Sequence, residues 1–323
     1  VSVPFAARIG PRKVSATTHW RRRGRIIAAR DLAVRIFLTI CAAVTVLTTF
    51  GIILVLGIES VRFFQTSGVS VFDFVTGTRM EPKVTPPRYG LLPLLWGTIV
   101  IALGSSLIAL PIGILSAIYL SEYAPSRVRS VLKPTLELLA GVPTIVYGYL
   151  ALLLVTPVLK AVFGRIGLHV EPYNALSACV VVGIMIIPLV SSLSEDVLTA
   201  VPRGLREAAY GLGATKFEVS TQVVLPAALS GVVASFILAV SRAIGETMAV
   251  VLAAGAQPQI TLNPLTSIET MTAYIVAVTS GEAPEGSPQF LSLFAVGGAL
   301  FLITLSLNIL SGFVMRRYRE VYT

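Results

Sequence analysis

Apolar runs long enough to cross a lipid bilayer dominate this chain. A helix needs roughly 20 apolar residues to span the hydrocarbon core. Six stretches approach or exceed that length, at about 34–58, 91–120, 135–159, 174–194, 227–255 and 290–315. A transmembrane barrel would instead show segments of about ten residues with alternating polarity, and none is present. Of the 323 residues, 55% are hydrophobic and 13% charged, about half the charged share of an ordinary soluble domain. The expected fold class is an all-α integral membrane protein with six transmembrane helices.

The net charge of +9 fits either nucleic-acid binding or the orientation of spans in a membrane. Placement decides for orientation. With the N-terminus inside, nine Lys and Arg fall in the N-terminal arm through Arg35. Arg127, Arg129 and Lys133 fall in the next inner segment, Arg203, Arg206 and Lys216 in the third, and Arg316, Arg317 and Arg319 in the tail. The outer segments hold only Arg62, Arg79, Lys83, Arg88, Lys160 and Arg165. Eighteen inside against six outside places both termini in the cytoplasm by the positive-inside rule. It also leaves no nucleic-acid partner. Residues 1–33 read as a basic cytoplasmic arm near anionic lipid, and 34–323 as the six-span domain.

Cys41 and Cys179 lie far apart within apolar runs and form no metal-ligand pattern; they read as small buried hydrophobes. Pro111 and Pro188 each remove a backbone donor inside a span. Gly104, Gly113, Gly183, Gly297 and Gly298 offer small faces on which helices approach closely in lipid. Thr144 and Tyr147 either line a path or bond between helices. Glu195 and Asp196 close the fourth span and are expected at the surface.

The polar segment before the fifth span reads EAAYGLGATKFEVSTQVVLP, residues 207–226. Glu207, Ala208, Ala209, Gly213, Val223, Leu225 and Pro226 occupy fixed positions of the pattern Glu-Ala-Ala, three residues, Gly, nine residues, Ile or Val, one residue, Leu-Pro. The residue types suit a docking helix, expected at about 203–220. Two alanines let another surface approach the backbone, and Glu207 can pair with a cation on a partner. Gly213 permits a bend that a side chain would oppose, and Pro226 suits the first turn of the next helix. The segment resembles the cytoplasmic loop of ABC importer permeases, where it forms the coupling helix that docks into a cleft on the ATPase. No phosphate loop G-x-x-x-x-G-K-[ST] exists in this chain, so it is not expected to be an enzyme; energy would come from a separate subunit.

Residues 241–248 read SRAIGETM. On a continuous helix Arg242 and Glu246, four apart, would share one face. Charge at that depth is expensive and marks a functional site by default, although a self-compensating ion pair would also explain it. Ser241, Arg242, Glu246 and Thr247 are the candidate substrate-pathway residues.

That string, with LAGVPTIVYG at 139–148 and YGLLPLLWGT at 89–98, is similar to the phosphate-specific permease family. The long first outer loop resembles its PstC-type rather than its PstA-type members, although Met80 stands where the pattern has tryptophan. The resemblance covers about residues 30–320. It implies the type I ABC importer (MetI-like) fold and a multi-pass protein of the cell inner membrane that conducts phosphate. It also implies a homologous PstA-type permease, two PstB-type ATP-binding subunits and an extracytoplasmic PstS-type phosphate-binding protein as partners. No cofactor is expected in this chain; ATP and magnesium would sit on the partner ATPase. The rivals are a permease for another oxyanion, such as sulfate or molybdate, a membrane scaffold for phosphate signalling, and a membrane-embedded hydrolase. The last would want a His or Cys constellation that the sequence lacks.

The charge bias sets a test. Cysteines at Ser70 and Ser287 should react with an impermeant thiol reagent from outside, and one at Ser220 should not; labelling of Ser220 from outside would overturn the orientation.

Overall fold

The computed structural model describes residues 17–317 apart from 282. The start of the basic arm (1–16) and Arg319 of the tail lie outside the described residues. The chain divides into two compact units, Val1–Val55 and Leu56–Thr323.

The first unit is described within α1 (Thr17–Ser67), a single helix that takes in the expected first span and extends past both its ends. Cys41 on it is exposed, contrary to the expectation of burial, because α1 is exposed all along residues 30–50.

In the second unit, the last turns of α1 lead into α2 (Val71–Thr76), capped by the Ser70 hydroxyl. Two short strands follow, β1 (Met80–Glu81) and β2 (Arg88–Tyr89), paired antiparallel with Met80 opposite Tyr89. They are a small addition to an otherwise all-α chain. Phe63 packs edge-on against both Phe74 and Tyr89, at 5.7 and 5.2 Å between ring centroids. Met80 is 2% exposed in the same cluster, so its thioether fills an interior position.

The second span, α3 (Leu92–Ile118), runs on through a π-helical turn, Tyr119–Tyr123, and carries Pro111 inside it. The third differs from expectation. α4 (Ser126–Ala140) ends at Gly141, and the span begins afresh after Pro143. Proline disfavours helix at the residue before it, and at Pro143, unlike at Pro111 and Pro188, the helix breaks, so the run 135–159 is not one helix. Instead α5 (Thr144–Leu150), a π-helical turn Ala151–Val155 and α6 (Thr156–Gly164) form a span at Thr144–Gly164. Tyr147 is buried and its hydroxyl donates to Leu139 O at 3.1 Å, across the break. That favours the structural reading of Tyr147 over a path-lining one.

The fourth span, α7 (Ala175–Ala200), is capped by Asn174, whose Oδ1 accepts from Ser177 N at 2.8 Å. Next come α8 (Arg203–Gly211), α9 (Lys216–Glu218), a π-helical turn Val219–Val224, α10 (Leu225–Ala227) and α11 (Leu229–Ile244). The chain bends by 73° between α10 and α11, so the fifth span is a bent pair, not a straight helix over 227–255. α12 (Met248–Ala254) and α13 (Met271–Thr279) follow. α13 buries Met271, Thr272, Ala273, Tyr274 and Val278, so much of the expected outer loop belongs to the core. α14 (Pro288–Arg317) is the last span. Among the described residues, five helices are long and apolar enough to cross a membrane, or six if the bent pair is counted as one span.

Small residues set the packing. A Cβ on Gly104 would stand 2.5 Å from Cys179 Sγ, and one on Gly113 would stand 2.6 Å from Val190 Cγ1. Those glycines let α3 lie directly against α7, and Cys179, 5% exposed, is the small buried hydrophobe expected. At the start of α3, a Cβ on Gly97 would meet Glu269 O at 2.2 Å. The segment entering α13 crosses α3 there, tied by Met271 N donating to Thr98 Oγ1 at 3.0 Å.

Because the atom facing Gly97 is backbone, it cannot swing aside. Gly97→Ala should destabilise the protein by about 1–3 kcal/mol, the usual cost of overpacking. Gly164→Ala, with open space around it, should be neutral. Thermal unfolding of both variants in detergent measures the difference.

Candidate functional site

The segment 207–226 folds as the end of α8, a turn, α9, a π-helical turn and α10, with Ala209 and Ala214 resting on a buried cluster that includes Val219 and Val224. α8 buries none of its residues. Glu207, Ala208 and Gly213 are exposed and Ala209 half-buried. Gly213 has φ +87°, the left-handed conformation that favours glycine. Around it Gly213 N donates to Tyr210 O at 2.9 Å and Ala214 N to Ala209 O at 3.1 Å. Those two bonds make a Schellman motif, which satisfies the last carbonyls of α8 and stops the helix. Thr215 then starts α9 with a capping box, its hydroxyl accepting from Glu218 N while Glu218 Oε2 accepts from Thr215 N. Leu212 and Phe217 flank this turn, 91% and 67% exposed. Leu225 and Pro226 lie in α10, with Pro226 in its first turn as expected.

One arginine fastens this helix to the spans. Arg206 donates through Nε and Nη2 to Glu122, the latter at 2.9 Å. It also donates to Leu198 O at 2.8 Å and Val201 O at 2.5 Å. It thus joins α8 to the end of α3 and the end of α7. The pair is largely dry, with side-chain exposures of 15% and 6%. A second network ties α4 to α7: Arg129 and Lys133 both donate to Glu195, and Lys133 also to Asp196 at 2.5 Å. Hydrogen bonds to Asp196 and then Glu195 raise the Lys133 pKa. Glu195 is 0% exposed, which corrects the expectation that it lies at the surface. α7 continues past residue 194, and α4 folds over its last turns. The sequence presented these cations only as an orientation signal. The available clue was that opposite charges cluster where the spans end.

The string SRAIGETM does not form one helical face. α11 ends at Ile244 with Gly245 as its cap, and Gly245, Glu246 and Thr247 are not helical. Glu246 N donates to Ala243 O at 3.3 Å, while Glu246 O accepts from Thr272 Oγ1 at 2.8 Å. The Glu246 side chain turns inward, 6% exposed, with Oε1 3.4 Å from Ala249 N in the first turn of α12. Arg242 is exposed, and among the described residues it makes no ion pair. The expected Arg242–Glu246 pairing on a shared face is therefore absent, because the helix stops between them. Ser241 Oγ donates to Asn308 Oδ1 on α14 at 3.5 Å, and Thr247 Oγ1 to Gly245 O at 3.2 Å. An exposed guanidinium on a spanning segment requires water or another chain beside it.

Residues 109–320 match the model of the family described as "binding-protein-dependent transport system inner membrane component". The chain is 35% identical over 268 residues to the phosphate transport system permease protein PstC of Xylella fastidiosa, covering 78% of this chain and 80% of that one. It is 32% identical over 314 residues to the same-named protein of Mesorhizobium japonicum, covering 90% and 94%. With the probable ABC transporter permease protein YqgH of Bacillus subtilis it shares 32% identity over 270 residues, covering 84% and 86%. Among solved structures, the inward-facing MetNI methionine ABC transporter superposes with a TM-score of 0.55 at 18% identity, covering 71% of this chain and 96% of that one. A bacterial alginate ABC transporter, solved with a pentasaccharide-bound periplasmic protein, superposes with a TM-score of 0.60 at 14% identity, covering 94% and 98%. These two likenesses speak for the fold.

Removing the Arg206 side chain strands a nearly buried carboxylate and two carbonyls. Arg206→Met should cost about 3–5 kcal/mol, as breaking a buried pair does. Glu122→Gln keeps an acceptor and should cost less. Hydrogen–deuterium exchange over 203–211 should show α8 released in the first variant and nearly unchanged in the second.

Proposed function

Because the chain belongs to the family of binding-protein-dependent transport system inner membrane components, we propose that it is the permease subunit of an ATP-driven importer of inorganic phosphate. The observation that carries the substrate is 35% identity to a phosphate transport permease over most of both chains. The geometry is consistent with the transport half of the reading. A short helix with an exposed face is pinned to the span ends by Arg206, and Arg242, which makes no ion pair among the described residues, is exposed on a spanning segment.

In this reading ATP and magnesium are held by two separate ATP-binding subunits, and α8 rests in a cleft on one of them. Leu212 and Phe217 supply apolar contact, and Glu207 an exposed charge. Motion of the ATPase reaches the spans through Arg206, which grips α3 and α7 together. Both ends of the chain face the cytoplasm. On the opposite side an extracytoplasmic phosphate-binding protein delivers the anion. Phosphate passes between this chain and a homologous permease.

Arg242 attracts the anion. Its guanidinium presents a planar fork of donors that suits two phosphate oxygens. Ser241 and Thr247 flank it with hydroxyls. Glu246 acts differently from a partner on the same helix face. Buried beside the break, it fixes the turn that ends α11 and so aims Arg242.

The test is phosphate uptake by vesicles holding matched amounts of assembled complex, with ATP hydrolysis followed in parallel. Arg242→Gln should abolish uptake, and Arg242→Lys should lose roughly tenfold, about 1.4 kcal/mol, since the charge survives but the fork does not. Gly213→Pro cannot adopt the left-handed turn and should uncouple hydrolysis from uptake. Full transport by Arg242→Gln would overturn the pathway role, and uptake of sulfate or molybdate in place of phosphate would overturn the substrate.

A further inference from the structure

Asn308 lies on α14, within the stretch Pro288–Phe313 that is apolar enough to cross a membrane, and it is exposed. A side-chain amide has two donors and an acceptor oxygen with two lone pairs. Hydrocarbon satisfies none of them, and leaving such a group without partners is costly. Polar side chains at that depth therefore turn to a water-filled cavity or to another helix. Here the amide oxygen accepts one long bond, 3.5 Å from Ser241 Oγ. The amide nitrogen makes no hydrogen bond among the described residues. Ser241 precedes Arg242 in the last turn of α11, so Asn308 contacts the helix end that carries the exposed guanidinium. One turn along α14, Ser311 is 3% exposed, and its hydroxyl has no partner among the described residues. α14 thus carries two polar side chains short of partners within one turn of each other.

We propose that Asn308 is a further specificity-determining residue of the phosphate path, its amide N–H groups donating to the oxyanion that Arg242 attracts. The inference rests on the reading of Arg242 as a pathway residue. A neutral donor suits that place. It adds a directed hydrogen bond without a second full positive charge, and conduction requires binding weak enough for release. The competing role is a cross-link, in which Asn308 only accepts from Ser241 to hold α14 against α11.

The two roles predict opposite rankings. Asn308→Asp keeps the shape and the acceptor, so a pure cross-link survives it. Facing an anion, the same change replaces donors with a like charge. Uptake is measured against phosphate concentration at matched amounts of assembled complex, for Asn308→Leu, Asn308→Asp, Ser241→Ala and Arg242→Gln. The expected result is a KM raised about tenfold in Asn308→Leu and a greater loss in Asn308→Asp, with any loss in Ser241→Ala smaller than that in Asn308→Asp. Wild-type uptake by Asn308→Asp, with Asn308→Leu and Ser241→Ala equally impaired, would establish the cross-link and overturn the proposal. Loss in Arg242→Gln with normal uptake by both Asn308 variants would overturn this inference alone. Normal uptake by all of them would remove the pathway reading with it. Should Asn308→Leu fail to assemble, the isosteric Asn308→Asp carries the test by itself.

Discussion

In a bilayer no hydrophobic force draws one helix to another, so the pairing of α3 with α7 depends on how closely their backbones can approach. Gly104 and Gly113 on α3 and Gly183 on α7 make that approach possible, each leaving no room for a Cβ without displacing a neighbour. Much of the second unit is placed on this pair, while α14 packs on α11 and α13. α11 and α12 pack beside α7, and α5 and the turn after it complete the same buried cluster. At one end the cluster passes into the aromatic group around Phe63 and Tyr89. At the other it passes into the residues under α8, among them Ala117, Leu198 and Val219.

A chain that spans lipid must also satisfy every backbone group that an interrupted helix sets free. This one interrupts its helices often and repairs each break with a side chain or a turn. The hydroxyl of Tyr147 serves the carbonyl of Leu139. Thr272 serves the carbonyl of Glu246. Asn174 and Glu171 hold the entry to α7, with Glu171 Oε2 accepting from Ser267 N at 2.8 Å. The breaks are what place Arg242 at an exposed helix end with Glu246 tucked behind it.

The spans were legible because hydrocarbon imposes one crude requirement, about 20 apolar residues, and the sequence meets it six times. Gly213 was legible for a similar reason, since a turn with positive φ admits few residues besides glycine. What sequence could not supply was the partner of each charge. Arg206 and Glu122 are 84 residues apart, and nothing in either neighbourhood announces the other. Helix interruption was misread for a different reason. Gly245 is tolerated within many helices, and the bond from Thr272 to the Glu246 carbonyl, which accompanies the end of α11, comes from a distant segment. Pro143 gave a signal of the break, but Pro111 and Pro188 sit inside continuous helices, so a proline alone could not decide where the third span begins.

The Schellman turn at Gly213 does more than end a helix. By stopping α8 there, it holds Leu212 almost wholly in water, with Phe217 close behind. Exposed apolar side chains of that size are characteristic of surfaces made for contact, and of aggregation when contact is missing. A copy with nothing over this turn therefore carries an open apolar knob there, and the same glycine that shapes the turn sets how much apolar surface a covering molecule would remove from water.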